Sequence, residues 1–152
     1  MLKKNDIYIF FETMKQLEPH SILDIGMFFK RIGAVSRNAM DEEIPENIIF
    51  DGVSLEAECV FPIYDTVYNS VMEMERFMTD ESLDMYELIV ILGNVEIPSN
   101  VSLDKLMCLL GQRTRYILTD RTKSDWKNRY TDREVIALSV EHDDYYLIDF
   151  GV

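Results

Sequence analysis

Near the start of the chain, Ile7, Phe10, Phe11, Met14 and Leu17 recur at helical spacing, which predicts an amphipathic helix ended by Pro19. SILDIG (21–26) then predicts a short buried strand closing on a glycine. Mixed apolar spacing over RIGAVSRNAM (31–40) predicts a second helix, followed by the acidic run Asp41, Glu42 and Glu43 before Pro45. NIIFDGVSL (47–55) predicts a second strand, and 56–69, with Pro62, is either a helix with proline near its start or an irregular crossover. Alternation in SVMEMERF (70–77) predicts a strand. YELIVILGNV (86–95) is a continuous β-branched run, the mark of a strand covered on both faces. SLDKLMCLLGQR (102–113) predicts a helix with Leu103, Leu106, Met107 and Leu110 on one face and Ser102 as its N-cap. RYILTD (115–120) is the next strand, 121–131 with Trp126 is a polar helix or loop, and 134–151 alternates on either side of Asp143–Asp144 as a hairpin.

Strands alternating with helical or crossover segments predict an α/β fold: a Rossmann-like three-layer sandwich around a mostly parallel sheet of about seven strands, ending in an antiparallel hairpin. The 152 residues fit one domain, 1–152, and the hydrophobic share of 47% with 28% charged residues gives no sign of disorder. Lys3 and Lys4 followed by apolar residues look superficially like a signal peptide. Asp6, Glu12, Lys15 and Glu18 interrupt that stretch, no small-residue cleavage site follows, and no apolar run reaches membrane-spanning length. The expectation is a cytoplasmic protein without a membrane partner. Cys59 and Cys108 lack any CxxC context, so buried thiols are expected rather than a disulfide framework or a metal site. A net charge of −13 opposes phosphate backbones, so no nucleic-acid partner is expected; another protein or a second copy of the chain are the partners left.

Four features in order carry a resemblance: LDIGMFFKRIG (23–33), DGV (51–53), ELIVILGNVE (87–96) and the terminal hairpin. Together they resemble the class I S-adenosylmethionine-dependent methyltransferases, in which a hydrophobic strand runs into D-x-G-x-G. The resemblance implies S-adenosylmethionine as cofactor, with its amino-acid part over the loop after the first strand. Asp24 and Gly26 match that motif, whereas Phe28 stands at the second glycine and Lys30 where many relatives have another. A phenylalanine there brings a ring and a Cβ to bare backbone and makes a positive φ costly. Gly33 is retained, consistent with close helix–strand packing. Ser54 stands near the place of the acid that holds the ribose, with Glu56 as an imperfect substitute, and Glu75 is placed for the acid at the adenine. Asn94 occupies the fourth acidic position, leaving Glu96 as the nearest carboxylate.

These departures predict a methyltransferase-like protein whose cofactor binding is impaired or lost, a binding or interaction module rather than a catalyst. The alternative is an active but divergent methyltransferase acting on a small molecule or sugar-like substrate, since methyl transfer needs mainly proximity and orientation. Phe28 and Phe29 are expected to fill the vacated groove as core, with Lys30 and Arg31 solvated; the competing reading has those cations bind an anion at a helix start. Asp24, Asp51, Glu56, Glu75 and Glu96 are the carboxylates that a shared cleft would bring together. No catalytic residue is assigned. His20 and His142 have no metal-ligand spacing, Ser21, Ser36 and Ser54 lack a G-x-S-x-G context, and no phosphate-binding loop is present. The nine methionines are expected to be pliable core, and an exposed group of them would mark a binding surface.

Overall fold

The computed structural model describes residues 4–55, 67–120, 128–130, 132–137 and 145–151. Helix α1 (Lys4–Leu17) buries Ile9, Phe10, Phe11 and Met14 and leads into strand β1 (Ser21–Ile25). A single helical turn, α2 (Phe28–Arg31), and a two-residue-per-arm hairpin, β2 (Asn38–Ala39) with β3 (Glu42–Glu43), precede β4 (Ile49–Ser54). Then come β5 (Ser70–Glu73), α3 (Met74–Thr79), β6 (Tyr86–Ile91), α4 (Leu103–Arg113) and β7 (Thr114–Asp120), and the chain closes with β8 (Glu134–Ala137) and β9 (Tyr145–Asp149).

The main sheet has seven strands in the order β5-β4-β1-β6-β7-β9-β8. Neighbours from β5 to β7 are parallel, while β9 runs antiparallel to both β7 and β8. The expected α/β sandwich and its terminal hairpin are therefore both present. Period-2 alternation in the strands divides the core. Ile22, Leu88, Val90, Leu118 and Leu147 face α1 and α2, and Leu23, Ile25, Ile89, Ile91 and Ile117 pack on the α3–α4 side. Strand order reverses at β1, which has β4 on one side and β6 on the other, and that reversal opens a crevice at the carboxyl ends of these strands.

Three expectations are corrected. Segment 31–40 is not a helix. The turn begun at Phe28 stops at Gly33 (φ +82), where Gly33 N–H donates to Lys30 O and Ala34 N–H to Phe29 O, a Schellman closure. Beyond it the Arg37 guanidinium donates to the carbonyls of Val67, Pro45 and Ile48 at 2.8–3.1 Å and fixes the chain as a loop. The predicted strand 70–77 ends at Glu73, because Met74 and Phe77 meet one core face at i,i+3 spacing and wind α3. Cys108 is exposed rather than buried, lying off the Leu106–Met107–Leu110 stripe of α4. The crossover through Pro62, Cys59, Trp126 and the hairpin turn at His142–Asp144 lie outside the described residues.

Candidate functional site

Gly26 begins the loop beyond β1 at φ +87, and a Cβ there would stand 2.7 Å from Val95 Cγ2. Both the torsion and the close approach require glycine. Phe28 needs no positive φ, because the left-handed step is taken by Met27 (φ 53). Asp24, fully buried on β1, accepts hydrogen bonds from Phe28 N–H (3.0 Å), Phe29 N–H (3.3 Å) and the Tyr68 hydroxyl (2.7 Å). Burial pushes the Asp24 carboxyl up to about 6 against the opposing pull of these donors, and burial beside that carboxylate raises the Tyr68 phenol well above its usual range. The Lys30 amide bonds to the Tyr68 oxygen. Gly26 N–H donates to Val53 O, Met27 N–H to Asp24 O, and Arg31 and Ile32 to the helical carbonyls behind them. Every amide from Gly26 to Ala34 is thus satisfied within the protein.

Arg31 bridges the two strand ends beside the loop and borders the crevice. Its guanidinium donates to Gly26 O (3.0 Å), Gly93 O (2.8 Å) and Leu92 O (2.6 Å), tying the carboxyl end of β1 to that of β6. Around this tie lies a cleft of about 350 Å³ bordered by Gly26, Met27, Lys30, Asn94, Val95 and Glu96. Ser54 and Leu55 connect it to a cleft of about 840 Å³ beside Glu75, Met78, Val101 and Lys105. Volumes of this size fall in the range of small-molecule sites.

The predicted site residues separate. Gly26, Ser54, Asn94 and Glu96 border the clefts, and Glu75, in the first turn of α3, borders the larger one. Asn94 has φ 57 and donates its N–H to Asp120 Oδ2 at 2.7 Å, so it enters the site through its backbone. Asp24 faces loop amides instead of the clefts, and Asp51 accepts from Tyr86 OH (2.6 Å) and Ser70 N–H (3.1 Å) at the opposite end of the sheet. The five carboxylates therefore do not converge. Glu56 lies outside the described residues. Phe28 and Phe29 are fully buried as expected, but in the aromatic cluster with Phe10, at centroid distances of 5.2 and 5.3 Å, and they line neither cleft. Gly33 serves chain reversal rather than close packing, since nothing lies within 4 Å of its missing Cβ. Arg31 is exposed as expected, yet its guanidinium is held by three carbonyls. Sequence reasoning named Arg31 only as a solvated or anion-binding cation and missed Tyr68 and Asp120. An arginine one helical turn past D-x-G is within reach of the neighbouring strand end, and that was the available signal.

No protein-family model and no curated protein matches the chain. Solved structures do match. A Staphylococcus aureus protein provisionally described as a caffeoyl-CoA O-methyltransferase superposes with a TM-score of 0.62 at 11% identity, over 99% of this chain and 85% of that one. The N-methyltransferase NodS from Bradyrhizobium japonicum gives 0.51 at 8%, over 95% and 92%. The 16S rRNA methylase ArmA gives 0.52 at 12%, over 95% and 80%. The chain has the Rossmann-like fold of the class I S-adenosylmethionine-dependent methyltransferases. Those names span an O-methyltransferase, an N-methyltransferase and an rRNA methylase, so the likeness fixes the fold and leaves the substrate open. Among the described residues, no helix is long and apolar enough to cross a membrane, and no group of three His, Cys, Asp or Glu is placed to hold a metal.

Proposed function

We propose that the chain is a single methyltransferase-like domain in which S-adenosylmethionine binding is lost or much weakened, and that it works as a non-catalytic binding module. The observation that carries this reading is the Arg31 tie to Gly26, Leu92 and Gly93. The resemblance puts the cofactor's amino-acid part over this same loop. There a guanidinium takes carbonyl acceptors that the cofactor's ammonium would use and repels its ammonium and sulfonium, so that of the cofactor's charged groups only the carboxylate would be attracted. The amides from Gly26 to Ala34 are already bonded within the chain, which leaves none of them for the cofactor's carboxylate and supports this reading. The net charge of −13 supports a protein rather than a nucleic acid as partner.

One observation favours the second reading, a divergent active methyltransferase on a small or sugar-like substrate: the joined clefts beside Ser54 and Glu75. Calorimetric titration with S-adenosylmethionine and S-adenosylhomocysteine, paired with thermal unfolding, separates the two. The first reading expects neither heat nor a melting shift from a folded, monodisperse sample. Micromolar binding in both assays would overturn it in favour of the enzyme.

A further inference from the structure

Helix α1 and the β2–β3 hairpin meet at an apolar dent of about 140 Å³ bordered by Ile7, Tyr8, Phe11, Glu12, Met40 and Glu42. It shares no residue with the two clefts at the strand ends, so it stands whether or not a cofactor binds there. Two large apolar side chains on its border are open to water: Tyr8 is 63% exposed and Met40 54%. Tyrosine and methionine are among the residues enriched where proteins meet.

Met40 is also in a costly place. Met40 and Asp41 are the two residues between the paired arms of the hairpin, and both have positive φ, 52 and 67. That is a type I′ turn, for which Asn-Gly is the favoured pair. A methionine there weakens the turn and presents an apolar tip to solvent, the kind of local strain that accompanies a binding surface. The dent is bordered by the carboxylates of Glu12 and Glu42, with the Lys15 ammonium 3.0 Å from Glu42 and 3.9 Å from Glu12, and Asp41 is exposed in the turn beside Met40. The excess of negative charge repels phosphate backbones and anionic membrane surfaces and attracts a basic chain.

We propose that this face docks a basic segment of a partner protein, with one apolar side chain of that segment entering the dent and its lysines or arginines lying against Glu12, Asp41 and Glu42. The probe is a synthetic amphipathic lysine–leucine peptide, titrated calorimetrically into the full chain at physiological salt. A lysine–serine peptide of equal length and charge serves as the control. The lysine–leucine peptide is expected to bind, and Met40→Asn and Tyr8→Gln each to weaken it by roughly tenfold. Met40→Asn should at the same time raise the melting temperature by about 3 °C, because asparagine accepts the left-handed turn. Weaker binding by a more stable protein is a signature that simple structural damage does not give. No binding, equal binding of the two peptides, or affinity unchanged in both variants would overturn the proposal. So would a loss of binding that tracks a fall in melting temperature in both variants.

Discussion

Replacing Asp24 by asparagine tests whether one buried carboxylate organises the loop after β1. In the folded chain that carboxylate holds the amides of Phe28 and Phe29 and the Tyr68 hydroxyl, and burial lifts its pKa from 3.8 to about 6. Asp24 therefore binds a proton more readily in the folded than in the unfolded chain. Between about pH 4 and 6 the folded state carries the extra proton, and its stability falls as pH rises through that window. At pH 5 the folded carboxyl is mostly protonated while the unfolded one is mostly ionised, a difference worth on the order of 1 kcal/mol; at pH 7 both are ionised and the contribution has vanished. Asp24→Asn deletes this dependence. It also leaves the Phe29 amide facing a donor, at about 1–3 kcal/mol, while removing a desolvated charge, so its absolute stability mixes opposed effects. The diagnostic is the gap between wild type and variant in urea unfolding at pH 5, 6 and 7. Wild type should gain on the order of 1 kcal/mol on the variant between pH 7 and pH 5. A gap that stays flat, or widens toward pH 7, would refute the raised pKa and with it the picture of a charged group sealed beneath the loop.

Other substitutions probe the same elements. Gly26→Ala places a Cβ 2.7 Å from Val95 at φ +87 and should cost roughly 2–4 kcal/mol in urea unfolding, whereas Gly33→Ala, at φ +82 with open space around it, should cost about 1 kcal/mol. Ser102→Ala removes the side chain that accepts from Lys105 N–H at 3.3 Å at the start of α4, and about 1 kcal/mol should be lost in the same assay. Arg31→Gln breaks a three-carbonyl tie on a largely exposed side chain and should lower stability by about 1–2 kcal/mol while raising hydrogen exchange at Leu92 and Gly93.

The sheet was legible because its signals are periodic. The apolar run of YELIVILGNV marked a strand covered on both faces, RYILTD read as the strand after α4, and the alternation in 134–151 led to β8 and β9. Ser102 announced α4 by chemistry that acts within four residues. What failed was decided at a distance. The apolar spacing of 31–40 permits a helix, but Gly33 ends it and Arg37 finds its carbonyls at Pro45, Ile48 and Val67, partners that no local pattern names. The site divided in the same way. Gly26 was readable from its motif, whereas Asp24 owes its role to Tyr68, 44 residues on, and Arg31 owes its own to Leu92 and Gly93. Phe28, read at a glycine position, packs in an aromatic core with Phe10, and the Arg31 guanidinium spans from the loop to Gly93.

The proposed loss of cofactor binding rests on the Arg31 guanidinium holding the crevice against S-adenosylmethionine. Its most direct test is the Arg31 Nε–H resonance in a nitrogen-15 spectrum, assigned by its loss in Arg31→Gln, with and without saturating S-adenosylhomocysteine. The expected signal is protected from exchange by its bond to Gly26 O and unmoved by the ligand. A resonance that exchanges like a free arginine, or that S-adenosylhomocysteine displaces, would contradict it.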